Sequence, residues 1–164
     1  MNVELRPLEI KDAYTSVKWR NDKDVFKYTG NVYDHEITIE SELEWIQKVI
    51  AKKDDCRFAI IADGKYVGNI YLTDIHPDDK GTYHIFIGDK DYWGKGVASA
   101  ASRLIIGYGF NTLNLKTIEL RVKPENISAV YLYEKLGFKY LNTHGANDSG
   151  LVTMILKRGD SKPV

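Results

Sequence analysis

The sequence predicts one α/β domain folded around a single twisted sheet. Three observations carry that prediction. The first half holds alternating apolar runs joined by a hairpin signal, Asp63-Gly64-Lys65. The second half reads strand, helix, strand, helix, strand from its apolar periodicity. Between the halves lies a glycine-rich turn, Trp93-Gly94-Lys95-Gly96-Val97-Ala98, with a strand pattern before it and a helix pattern after it. At 164 residues the chain is long enough for one domain with a sizeable core.

Taken in order, Val3-Glu4-Leu5-Arg6-Pro7-Leu8 alternates and ends at proline, as a short first strand would. Residues 10–20 read as a helix with Ala13 and Val17 facing inward, joined by Tyr14 or Trp19. Asn21-Asp22-Lys23-Asp24 breaks it, and residues 25–31 fit no single pattern. Thr38 opens a second helix with a stripe of Leu43, Ile46 and Ile50, widened by Trp45 and Val49. Trp19, Phe26, Tyr28, Tyr33 and Trp45 make this region aromatic, which suits either packing on a sheet or a substrate-side wall. Residues 57–62 and 66–75 form a hairpin, and residues 76–81 a loop. Residues 82–87 form the next strand, with Thr82, His84 and Phe86 on one face and Tyr83, Ile85 and Ile87 on the other.

The helix after the glycine turn carries Ala101, Leu104, Ile105 and Tyr108 on one stripe and ends near Asn111-Thr112-Leu113-Asn114. Residues 117–122 are a strand. Asn126 is a good N-cap for a last helix over residues 127–136, and Gly137 a good residue to end it. Residues 138–142 and 151–156 close the chain as strands on either side of a polar, flexible segment. The domain spans residues 1–158, and residues 159–164 form a loose tail.

Composition excludes several classes. Lysine plus arginine number 23 and aspartate plus glutamate number 23, so there is no basic excess of the kind general nucleic-acid binding shows. No apolar run approaches a membrane span, and the first residues have no signal-peptide pattern, so a cytoplasmic protein is expected. The single Cys56 excludes an internal disulfide and a cysteine-rich metal site, and it reads as a buried structural thiol rather than a nucleophile. No metal is expected.

The glycine turn has a physical reading of its own. A helix start leaves N–H groups unpaired where the helix dipole favours negative charge. Gly94 and Gly96 let a ligand approach the backbone, and Lys95 adds a cation, so a phosphate or pyrophosphate pocket fits. A bland turn with a solvated lysine fits as well. The stretch is neither a nucleotide-hydrolase phosphate loop nor a dinucleotide fingerprint.

A second stretch decides between them. Asn126-Ile127-Ser128-Ala129-Val130-Tyr131-Leu132-Tyr133-Glu134-Lys135-Leu136-Gly137-Phe138 follows about thirty residues later. Together the two stretches resemble the Gcn5-related N-acetyltransferase (GNAT) superfamily over nearly the whole chain. That family's acetyl-CoA signature, Arg/Gln-x-x-Gly-x-Gly/Ala, is met by Trp93, Gly96 and Ala98. Its later signature is met by Ala129 and by Tyr133 to Phe138. Trp93 departs from the usual Arg or Gln, and Tyr-Trp-Gly-Lys-Gly is similar to the branch with amino-sugar, polyamine and ribosomal-protein acetyltransferases.

The resemblance implies a GNAT-type domain. Its mixed, mostly antiparallel sheet has about six to seven strands and about four flanking helices, splayed at the acetyl-CoA site. It implies transfer of an acetyl group from acetyl-CoA directly to a primary amine. Phe86, Ile87, Gly88, Trp93, Gly94, Lys95, Gly96, Val97, Ala98 and Asn126 would hold acetyl-CoA, with an N–H near Ile87 on the thioester carbonyl. Tyr133 matches the family's general acid. His84 has a suitable reference pKa for the base, beside the plainer role of a sheet histidine.

Trp19, Arg20 and Tyr28 are expected on the acceptor side, with short motifs similar to acetyltransferases of nucleotide-linked amino sugars and Arg20 suited to a diphosphate. Arg20 as a plain helix-end cation fits equally. Polyamine and peptide acceptors are the near alternatives, and a non-catalytic acyl-CoA sensor is a further one. Asp34, Glu36, Glu40, Glu42 and Glu44 could supply an acidic polyamine pocket. The expected partner is a small-molecule amine, with no nucleic acid and no membrane, and a homodimer is allowed.

Overall fold

The computed structural model describes residues 1–27, 34–141 and 150–162. Seven strands form one sheet: β1 (Val3–Pro7), β2 (Cys56–Ala62), β3 (Lys65–His76), β4 (Lys80–Ile87), β5 (Thr117–Val122), β6 (Lys139–Tyr140) and β7 (Val152–Lys157). Their order is β1-β2-β3-β4-β5-β7-β6. The central pair, β4 and β5, is parallel, and the other neighbouring pairs are antiparallel. The predicted hairpin at Asp63-Gly64 is present, with Asp63 and Gly64 both at positive φ. The expected loop at residues 76–81 is a shorter turn over 77–79, with His76, Lys80 and Gly81 in strand. Lys80 already pairs with His76, and a register irregularity after Thr73 accommodates the turn.

The helices are α1 (Ala13–Arg20), α2 (Lys23–Phe26), α3 (Ile39–Ile50), α4 (Val97–Asn111) and α5 (Ile127–Leu136). The Thr38 hydroxyl caps α3 by accepting from the Ser41 N–H at 3.1 Å. Gly137 ends α5 at φ +106, where an added Cβ would meet the Asp160 carbonyl. The Lys162 N–H donates to the Leu136 carbonyl, so the tail is docked on α5 as far as that residue.

Two apolar clusters lie on opposite faces of the sheet. The larger packs Val97, Ala101, Ile105, Ile106 and Phe110 of α4 over Ile70, Leu72, Tyr83, Ile118 and Leu120. The smaller packs Ala13 and Ile46 over Ala59 and Tyr71. The inward stripe of α4 is thus rotated from the expected one, and Leu104 is 46% exposed. Ile50, at the end of α3, is also exposed. The unexpected buried residue of that helix is Glu42, at 1%.

Candidate active site

The sheet splits where its two parallel strands meet. β4 and β5 pair only through Lys80–Thr117, Gly81–Ile118 and Thr82–Glu119. Beyond Thr82 each strand keeps only its outer neighbour, β3 or β7. The Gly88 N–H bonds to the Val67 carbonyl of β3, and the Asp79 carbonyl accepts from the β5 side. Strand alternation then turns the N–H and C=O groups of Tyr83, Ile85 and Ile87 toward the opening. The peptides of Phe86 and Gly88 face β3. Of the predicted strand residues, only Ile87 presents its backbone to the opening, and Ile85 and Tyr83 join it. A peptide-like chain entering here meets the N–H and C=O of Ile85 and the N–H of Ile87 on the β4 edge.

The glycine turn stands at the mouth of this opening, directly after β4. Gly96 is the N-cap of α4 at φ +82, and Gly94 lies at φ +70. Both conformations favour glycine. No protein atom lies within 4 Å of where a Cβ would stand on either. The first helical bond runs from the Ala100 N–H to the Gly96 carbonyl, and the N–H groups of residues 94–99 have no acceptor among the described residues. This cradle of free donors at a helix N-terminus fits a pyrophosphate. Asn126 caps α5, accepting from the Ala129 N–H at 3.4 Å.

Tyr133 stands at the fork. Its ring meets the edge of Tyr83, the first β4 residue past the last β4–β5 pair, at 5.7 Å between centroids. Phe138 packs on both rings. Tyr133 is 8% exposed, and its hydroxyl has no hydrogen-bond partner among the described residues. Burial pushes its pKa up to about 12, so the phenol keeps its proton at neutral pH. The Tyr83 hydroxyl is held by Ser102 at 2.7 Å, which leaves Tyr133 as the free phenol.

His84 lies on the opposite face of the same strand. Its Nε2 meets the Thr73 hydroxyl at 2.9 Å. The residue is exposed on this face, with Arg57, Asp74 and Asp55 near enough to act on the ring. Desolvation by those neighbours, then the Arg57 charge, hold its pKa below the ordinary histidine value. Asp74 and Asp55 pull the other way, and Arg121 adds to the lowering. The imidazole is therefore neutral at pH 7 and able to accept a proton. Thr82 and Glu119 close the fork on this face, 3.5 Å apart.

The predicted acceptor residues lie farther back. Trp19 is buried against Tyr66 and Phe86, and a Cβ on Gly88 would strike its ring. Arg20 Nε lies 2.9 Å from Glu42 Oε2, and its guanidinium stacks on Trp45 at 4.4 Å. The Ser16 hydroxyl donates to the other Glu42 oxygen at 2.7 Å. Burial holds the Glu42 carboxyl above its ordinary pKa, against the pull of Ser16 and Arg20. Tyr28 lies outside the described residues. Glu42 as a buried partner of Arg20, and Tyr83 as the support of Tyr133, had no distinguishing mark in the sequence. One is a single charge on a helix, the other a tyrosine in an apolar strand.

Among the described residues no helix is long and apolar enough to cross a membrane, and no cluster of metal-ligating side chains occurs. The model of the acetyltransferase (GNAT) domain family matches residues 2–139. Spermidine N(1)-acetyltransferase of Escherichia coli is 34% identical over 138 residues, which are 84% of this chain and 73% of that protein. A probable N-acetyltransferase of Bacillus subtilis is 31% identical over 146 residues, 83% of this chain and 80% of that protein. The crystal structure of the Vibrio cholerae spermidine N-acetyltransferase with CoA and spermine superposes with a TM-score of 0.84. It has 26% identity and covers 96% of each chain. Motifs, splayed sheet and relatives agree: the chain belongs to the GNAT acetyltransferase family and is an acetyl-CoA-dependent N-acetyltransferase.

Proposed function

We propose that this enzyme acetylates a primary amine of a small cationic molecule of the polyamine class. The observation that carries this reading is the similarity to spermidine acetyltransferases, in sequence at 34% and in structure at a TM-score of 0.84. The fate of Arg20 supports it. That cation was the feature suited to a sugar-nucleotide diphosphate, and it is 12% exposed and paired with Glu42. No other cation among the described residues predicted for the acceptor side would take a diphosphate in its place.

The site residues then divide the work. The N–H groups of residues 94–99 hold the pyrophosphate of acetyl-CoA. The N–H groups of Ile85 and Ile87 are the donors available to the thiol arm and to the thioester carbonyl, where charge develops during attack. His84, on the open face, removes a proton from the incoming ammonium. The amine nitrogen bonds to the carbonyl carbon, the carbon–sulfur bond breaks, and the nitrogen gives up its second proton, which replaces the one that Tyr133 passes on. Tyr133, on the helix-covered face, gives its proton to the departing thiolate. Base and acid thus flank the opening from opposite faces of the sheet, and no covalent enzyme intermediate is required.

The test is release of free CoA thiol against a panel of spermidine, spermine, a nucleotide-linked 4-amino sugar and peptides with free N-termini. The polyamines should give the highest kcat/KM. A higher value for the amino sugar or a peptide would overturn the acceptor class.

A further inference from the structure

We infer that Trp93 clasps the anion-binding turn onto the end of β4 and that this clasp sets the affinity for CoA. The inference rests on the cofactor role of that turn. Trp93 Nε1 donates to the Ile87 carbonyl at 2.8 Å. That carbonyl belongs to the edge facing the opening, so one hydrogen bond joins the two surfaces that the cofactor must touch together.

The rest of the turn shows why the clasp matters. Its ion pairs all lie upstream. Lys65 Nζ pairs with Asp89 at 2.7 Å, and Lys90 Nζ pairs with Asp22 and Asp24 at 2.8 and 2.9 Å. Downstream, Gly94 and Gly96 stand in open space, with nothing packed where a Cβ would point. Lys95 Nζ lies over the Tyr92 ring at 5.8 Å, and the next packed residue is Val97, buried in the core, followed by the bond from Ala100 to Gly96 in α4. The free N–H groups of residues 94–99 therefore hang between the Trp93 clasp and the first turn of the helix. An indole has one donor, and here it is fixed on Ile87. The clasp also occupies an acceptor that the thiol arm could otherwise use, which leaves the Ile87 N–H as that residue's contribution to the arm.

Trp93 is 45% exposed, so its replacement opens no core cavity. The experiment measures the dissociation constant of CoA by calorimetry for the wild-type chain, Trp93→Phe and Trp93→Gln, with thermal melts of all three. Phenylalanine keeps a ring and loses the donor; glutamine keeps a donor and loses the ring. Loss of one such bond should weaken CoA about three- to tenfold in Trp93→Phe. Trp93→Gln should stay within about twofold of wild type. KM for acetyl-CoA should follow the same order while kcat stays level, because the clasp lies away from the fork. Unchanged affinity in Trp93→Phe would overturn the clasp, as would equal weakening in both variants, which would show that a donor at this position does not restore the affinity. No CoA binding by the wild-type chain would remove the cofactor role of the turn and the clasp with it. A failure confined to the amine panel would touch the acceptor class alone.

Discussion

The two sides of the opening between β4 and β5 are made of different materials. The proposed cofactor side is backbone: free N–H groups at residues 94–99, two glycines at positive φ, and the cleft-facing edge of Ile85 and Ile87. The proposed acceptor side is side chains drawn from distant parts of the chain. Thr73 holds His84, Glu42 holds Arg20, and Trp19 leans on Gly88. A backbone site depends on conformation and can tolerate varied side chains. A side-chain site changes with each partner, and that is where relatives sharing one cofactor are free to differ in acceptor.

Substitutions that separate the two sides sharpen the contrast. The largest effect is expected at Tyr133, whose hydroxyl at the fork has no partner among the described residues. Tyr133→Phe should lower kcat by about 10²- to 10⁴-fold while CoA affinity stays level. Unchanged kcat in a thiol-release assay would remove its role as acid. Next comes Glu42→Ala, which leaves the Arg20 guanidinium buried without its carboxylate. It should cost about 3–5 kcal/mol in stability, read from denaturant midpoints, with CoA affinity per folded molecule preserved. A wild-type midpoint would show Arg20 free to swing out and would reopen the diphosphate acceptor.

Gly96→Val forces a β-branched residue into φ +82, where Val strain of about 1–3 kcal/mol applies. CoA should bind at least about fivefold more weakly by calorimetry, and an unaltered affinity would contradict the backbone cradle. The smallest effect is a displacement in pH. Desolvation lowers the His84 pKa, so the imidazole gains its proton only below the ordinary histidine value. The acid limb of kcat should therefore fall below pH ~6.5, and His84→Gln should abolish it. A limb that survives the substitution would assign the base elsewhere.

The same contrast explains what the sequence disclosed. Gly94, Gly96, Asn126 and Gly137 act through local backbone geometry, and local geometry is written in neighbouring residues. The strand faces were legible too, because the period-two alternation of residues 82–87 is local. Arg20 was not. Its exposure depends on Glu42, 22 positions away on another helix, and nothing near either residue distinguishes a buried pair from two solvated charges. Leu104 shows a milder form of the limit. A helix with apolar residues on most sides has no unique inward stripe until the sheet beneath selects one, and here Ile106 and Phe110 were selected. The turn within residues 76–81 was legible but its bounds were not, because Pro77 and two aspartates mark a turn without fixing how far the strands continue on either side.

The central claim is that the gap between β4 and β5 receives the thiol arm of acetyl-CoA along the β4 edge. A crystal structure of the chain with CoA tests it most directly. The account predicts the pyrophosphate on the N–H groups of residues 94–99, the arm bonded to the cleft-facing peptides of Ile85 and Ile87, and the sulfur beside the Tyr133 hydroxyl. An arm lying outside the gap, or a sulfur remote from Tyr133, would contradict it.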